Sequence, residues 1–164
     1  MKPSLSTISS PRPPRRAVRL ERVPGLDYDV LDELLGYAVR RAQLAMQDSF
    51  QEAARGLDTT PARFTALVVI GANPGLSQTL LGKVLGIARS GAMQLTDWLE
   101  ARGLVERRRA PNDARAWGVH LTPRGEKLAA KLKQRVAAQE TQWTDKLSSR
   151  ERSELFRLPS KRTA

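Results

Sequence analysis

Two short stretches of this chain gather side chains suited to reading a nucleic acid. Arg89, Ser90, Met93 and Gln94 share one face of a helix by their spacing. Arginine offers guanine two parallel donors, glutamine matches adenine in the same way, and Met93 suits a thymine methyl. Arg107, Arg108 and Arg109 follow in a strand-like run. Arginines placed so meet phosphates, which position a protein without reading bases, and alternation turns one of the three inward. In the turn Pro111–Arg115, Asp113 stands two residues before Arg115 and next to Asn112. A carboxylate there holds a guanidinium extended, and an arginine so held enters a narrow minor groove, where the potential is most negative. Ser77 and Gln78 open an earlier helix, adding a hydroxyl, an amide and backbone donors for a phosphate. The plainer alternative is a set of solvated helix residues and a local Asp113–Arg115 turn bridge.

The elements that must hold these residues can be read from periodicity. From Asp27 to about Arg55, Leu31, Leu34, Leu35, Ala38, Ala42, Ala45, Met46 and Phe50 recur at helical steps, and Gly56 stops the pattern. Thr60-Pro61 opens a second helix as cap and first residue, and Asn73-Pro74-Gly75 ends it. Ser77 caps a third, with Leu80, Leu81, Val84 and Leu85 as its buried stripe and Gly86 as its stop. A fourth runs from about Ala88 to Arg102, with Ala92, Leu95 and Leu99 inward. Ala88 lacks a capping side chain and Gly91 lies inside, so its start is expected to fray. Leu104–Arg108 and Ala116–Leu121 read as a hairpin with Trp117, Val119 and Leu121 on one half-buried face. Thr122-Pro123 starts a long fifth helix, and Ser148 with Glu151 begins a last one that Pro159 is expected to end. The fold class is mainly α with a small β-wing, a winged helix-turn-helix flanked by surplus helices. Those outer helices cannot bury their apolar stripes in so small a domain, and a second copy of the chain is the direct solution.

Charge and composition narrow the function. At 164 residues the chain suffices for one domain, and its net charge of +11 calls for a polyanionic partner. The charge is uneven: +5 over residues 1–26, −3 over 27–76, +7 over 77–135 and +2 beyond. The Pro/Arg-rich arm before Asp27 reads as disordered, serving either phosphate contacts or solubility. Cysteine is absent and His120 is the only histidine, so neither disulfides nor a His/Cys metal site is expected, and the composition suits the cytoplasm. No apolar run would span a membrane. No nucleophile–base set, phosphate-cradling glycine loop or paired carboxylates suggest an enzyme, and no cofactor is expected.

The runs Thr60–Phe64, Asn73–Gln78, Leu95–Arg107, Pro111–Arg115 and Val119–Gly125 together resemble the MarR family of winged-helix transcriptional regulators. The resemblance spans roughly residues 28 to 158. It implies a homodimer on palindromic double-stranded promoter DNA, a repressor released by a small molecule. On that footing the chain divides into an arm (1–26), a dimerisation helix (27–57), the winged domain (58–125) and C-terminal dimerisation helices (126–164). It further implies an effector site at the first helix, where Tyr37, Arg40 and Arg41 would face an aromatic acid or its CoA thioester. Core packing for Tyr37 and solvation for the two arginines is the competing account. An effector-independent architectural or RNA-binding winged-helix protein is the alternative for the whole chain.

Overall fold

Helix caps and glycine stops set most of the boundaries. The computed structural model describes the backbone of residues 22–110, 113–145 and 147–163, and their side chains apart from those of 110, 113–116, 143 and 158–163. The arm expected over 1–26 therefore lies outside the described residues up to residue 21. The chain divides into two units, Met1–Asp48 and Ser49–Ala164.

In the first unit the helix does not begin at Asp27 as the periodicity suggests. A 3-10 turn covers Asp29–Asp32, and α1 runs Leu35–Ala53, crossing into the second unit. The reason is local competition for the backbone. Asp27 accepts from the Asp29 N–H at 2.9 Å, Asp29 takes a positive φ of 46°, and the Tyr28 hydroxyl accepts from the Val23 N–H at 3.0 Å. Short acidic side chains offer main-chain donors such alternatives to a helix. Much of the face expected on the first helix stays open here: Leu31, Leu34, Leu35, Ala38, Ala45 and Met46 are all exposed.

The second unit holds α2 (Pro61–Ala72), α3 (Gln78–Leu85), α4 (Arg89–Ala101), β1 (Val105–Ala110), β2 (Asp113–Leu121), α5 (Pro123–Thr144) and α6 (Ser149–Thr163). The Thr60, Ser77 and Thr122 side chains accept from Arg63, Leu80 and Gly125 N–H groups, so all three caps sit where the sequence puts them. Gly86, at φ 64°, ends α3 in the left-handed conformation and lets the chain turn directly into α4. Pro159 does not stop α6, which continues to Thr163. A proline removes one intrahelical donor and crowds one turn, and a helix can tolerate that near its end.

Leu67 and Ile70 of α2, Leu81 of α3, Leu99 of α4, Val105, Val119 and Leu132 of α5 form one buried cluster. Each fully buried side chain of this size contributes about 1.5–3 kcal/mol. The stripe expected on α3 is only half realised: Leu81 is buried and Leu85 partly so, while Leu80 and Val84 are exposed. An eight-residue helix facing the core along one line has room for one buried row. Thr96, which the pattern gives no inner role, is completely buried, its hydroxyl donating to the Ala92 carbonyl at 2.8 Å.

The hairpin is longer than expected. Val105 pairs with Leu121, Arg107 with Val119 and Arg109 with Trp117, and the register breaks between Arg109 and Ala110. The loop before α3 joins it: the Gly75 N–H donates to the Val119 carbonyl and the Val119 N–H to the Leu76 carbonyl, each at 3.0 Å. A Cβ at Gly118 would lie 2.7 Å from Gly75 backbone atoms, so glycine is what permits this approach. Thr122 closes the other end, its hydroxyl donating to the Gly103 carbonyl at 2.6 Å.

Candidate nucleic-acid interface

Packing of α3 against α4 leaves one face of α4 open. Its inner side carries Ala92, Thr96 and Leu99, all fully buried. Ala92 approaches Gly82 of α3 so closely that a Cβ on Gly82 would be 3.4 Å from that of Ala92 and 3.1 Å from the Ile87 carbonyl. The opposite side carries Arg89, Ser90, Met93 and Gln94, every one exposed, as the spacing requires. Ala88, in the N-cap position, has an extended backbone and makes no side-chain capping bond. The backbone donors of the first turn next to Arg89 thus lack a side-chain acceptor from the cap.

Ser77 and Gln78 sit half-buried at the start of α3. Ser77 spends its oxygen on the Leu80 N–H at 3.3 Å. The Gln78 side-chain nitrogen is buried and has no hydrogen-bond partner among the described residues. A buried donor at a helix start is thus left unmet by the described residues.

The three consecutive arginines separate into three different environments. Arg107, expected on phosphate, is instead occupied within the protein: its guanidinium donates to Asp97 and Glu100 of α4, and its N–H donates to Glu100 at 3.3 Å. Its side chain is 24% exposed. Alternation puts Arg107 and Arg109 on one face of β1 and Arg108 on the other, and the acids of α4 take Arg107. Arg108 points to the other face and pairs with Glu106. Arg109 has its guanidinium carbon 5.5 Å from the centre of the Trp117 ring. Asp113 and Arg115 lie in β2, where the structure describes their backbone alone, and Asn112 lies outside the described residues.

A second cluster, not anticipated from the residues, braces α2 and α4. The guanidinium carbons of Arg63 and Arg102 lie 3.5 and 3.6 Å from the centre of the Trp98 ring. Asp58 accepts from Arg63 at 3.4 Å and twice from Arg102 at 3.2 Å. Burial pulls Arg63 below the usual guanidinium value, Asp58 opposes that, and Arg102 adds to it. Arginine stays charged, so the carboxylate keeps two like charges beside one ring.

Of the effector candidates, Tyr37 is half-buried within the first unit, in a ladder of rings and cations. Arg22 lies 5.0 Å from the Tyr28 ring centre, Tyr28 and Tyr37 are 6.2 Å apart, and Arg41 lies 6.0 Å from Tyr37. Arg40 is exposed and has no ion pair among the described residues. Among the described residues no cluster of side chains suits a metal ion, and no helix is long and apolar enough to cross a membrane.

The family model described as "MarR family" matches residues 57–116. A "putative transcriptional regulatory protein for hcr operon" of Thauera aromatica is 36% identical over 128 residues, 76% of this chain and 75% of that protein. The transcriptional repressor CouR, solved bound to a 23-mer DNA duplex, is 36% identical with a TM-score of 0.79, covering 85% of this chain and 99% of that one. Solved bound to p-coumaroyl-CoA, CouR gives a TM-score of 0.74 at 36% identity, with coverage of 82% and 95%.

Proposed function

Since the chain belongs to the MarR family of transcriptional regulators, we propose that it is a homodimeric repressor of palindromic promoter DNA, released by a small aromatic acid or its CoA thioester. The family acts by binding DNA and not by catalysis. The open face of α4, with Arg89, Ser90, Met93 and Gln94 exposed beside a cationic hairpin, carries the reading. Arg89 and Gln94 read bases in the major groove, and Met93 meets a thymine methyl. Ser90 with Ser77 and Gln78 anchors phosphates, as does Arg109. Asn112, Asp113 and Arg115 bring the hairpin tip to the minor groove. Arg107 leaves that set and becomes the brace that aims the hairpin.

The dimer is supported by the apolar residues that each unit leaves exposed on its own: Leu31, Leu34, Leu35 and Val39 in the first, Leu155 in the second. Residues 27–57 and 126–164 serve the pairing and 58–125 the DNA. The effector reading rests on the ring-and-cation ladder at Tyr37 and Arg41, with Arg40 beside it, and on similarity to a repressor solved with p-coumaroyl-CoA. An aromatic acyl group suits the rings, and a carboxylate or phosphate suits the arginines.

The test is selection of bound sequences from random duplex DNA, repeated with p-coumaroyl-CoA and a panel of aromatic acids. A twofold-symmetric consensus, lost on adding one compound, is the expected outcome. Equal affinity for all duplexes would overturn sequence-specific repression, and a consensus indifferent to every compound would overturn the effector.

A further inference from the structure

Trp117 departs from the alternation of its own strand. Val119 on the same face is buried and Leu121 half-buried, yet Trp117 is 52% exposed. The register sets it directly opposite Arg109, whose guanidinium it faces across the pair. Arg107 and Arg108 each have carboxylate partners, whereas Arg109 has none among the described residues. The outer end of this face therefore presents a large flat apolar ring and, side by side with it, a cation with no carboxylate partner among the described residues. Water is a poor partner for the ring, and no carboxylate among the described residues pairs with the cation.

We infer that Trp117 and Arg109 form one composite contact for the backbone of a duplex. The guanidinium meets a phosphate, and the ring packs its open surface on the adjoining deoxyribose while holding the arginine extended. A nucleic acid backbone alternates anionic phosphates with apolar sugar faces a few ångströms apart, which matches this pairing of side chains. Charge supports the same occupant, because residues 77–135 carry +7. So does continuity: Arg107, two residues before Arg109 on the same face, fastens β1 to α4, whose open side lies next to it. The inference rests on the DNA-binding reading but adds a contact that reads no bases.

The experiment uses the full chain with Trp117→Ala, Trp117→Phe, Arg109→Ala and the Trp117→Ala/Arg109→Ala double variant. Binding is followed by fluorescence anisotropy on a random-sequence duplex and on a duplex enriched from a random pool by the wild-type chain. Trp117→Ala is expected to weaken binding to both duplexes by about 2- to 5-fold, the range for an exposed cation–ring contact, and Trp117→Phe to recover most of it. The double variant should lose less than the product of the single losses, because the two side chains share one contact. Unaltered binding by Trp117→Ala, or losses that multiply in full, would overturn the inference. A loss confined to the enriched duplex would assign the ring to base reading and overturn it too. So would a change in sedimentation of DNA-free Trp117→Ala, which would make the ring an interface between copies. If the wild type shows no preference for any enriched duplex, the repressor reading fails while the backbone contact still stands or falls on the random duplex.

Discussion

Arg107 holds Glu100 at two points, through its guanidinium and through its N–H at 3.3 Å, so one residue locks the first strand of the hairpin to the last turn of α4. The angle between the hairpin and the exposed side of α4 is set by this bond and by the Asp97 arm of the same clamp.

Arg107→Ala should therefore lower stability. A hydrogen bond to a charged, partly shielded partner contributes about 1.5–3 kcal/mol, and the remaining exposure puts the expected loss at the low end. Affinity for DNA should fall with it while the slope of log affinity against log salt stays unchanged. A residue on phosphate would instead lower the slope by about one. Thermal melting and a salt titration of the same variant separate the two roles.

Gly118→Ala tests the loop that carries Ser77 and Gln78. The added methyl would meet the Gly75 backbone at 2.7 Å, and backbone cannot step aside as a side chain does. Overpacking of this kind costs about 1–3 kcal/mol, and here it would also break the Val119–Leu76 bridge that sets the entry to α3. Melting temperature and DNA affinity should fall together. Unchanged melting would mean that the bridge contributes nothing.

Much of this arrangement was legible from the residues, for identifiable reasons. Thr60, Ser77, Thr122 and Ser148 announce helix starts because capping depends on neighbours a few positions away, and those neighbours are in the sequence. The outward set Arg89, Ser90, Met93 and Gln94 followed from helical period alone. What failed depended on partners distant in the chain or on local competitors. α1 starts later than its periodicity suggests because Asp27 and Tyr28 divert backbone donors. Alternation separates Arg108 from Arg107 and Arg109 but does not tell which arginine of the pair meets phosphate, and Asp97 and Glu100 take Arg107 out of that role. The Asp58–Arg63–Trp98–Arg102 brace joins residues up to 44 positions apart, beyond any periodic signal.

Acid should loosen α6 before the core. Ser148 donates from both its hydroxyl and its N–H to Glu151, and these bonds hold the Glu151 carboxyl below its usual value. A carboxylate whose value is depressed on folding stabilises the fold above its unfolded value, and that contribution is lost as the pH falls through the folded one. Helicity assigned to α6 by amide exchange should decline in that acidic range. Ser148→Ala should shrink the step, because it removes the hydroxyl bond, the larger cause, and leaves only the N–H bond to Glu151. An acid transition undiminished in Ser148→Ala would refute this cause.

Arg89→Ala should erase preference at one base position and leave the others intact, costing about 1–3 kcal/mol on the preferred duplex. On random duplex the loss should be only that of one charge. Arg89→Lys should not restore the preference, since an ammonium lacks the two parallel donors. A uniform loss across all duplexes would move Arg89 from base reading to phosphate.

Ala88→Ser asks whether α4 is already ordered before DNA arrives. Ala88 has an extended N-cap backbone, φ −61° and ψ 155°, that a serine can adopt, and it makes no capping bond. A hydroxyl there would accept from a first-turn N–H and stabilise the helix by about 1 kcal/mol. For a chain of this size that is a rise of about 2–4 °C in melting temperature. DNA affinity should stay the same, because the structure has α4 formed from Arg89 onward and the cap would favour the free and bound states alike. Tighter binding by Ala88→Ser would show that the free protein frays at this end, as Gly91 and the missing cap suggest on sequence grounds. Weaker binding would mean that the first-turn donors belong to a phosphate, with the serine competing for them.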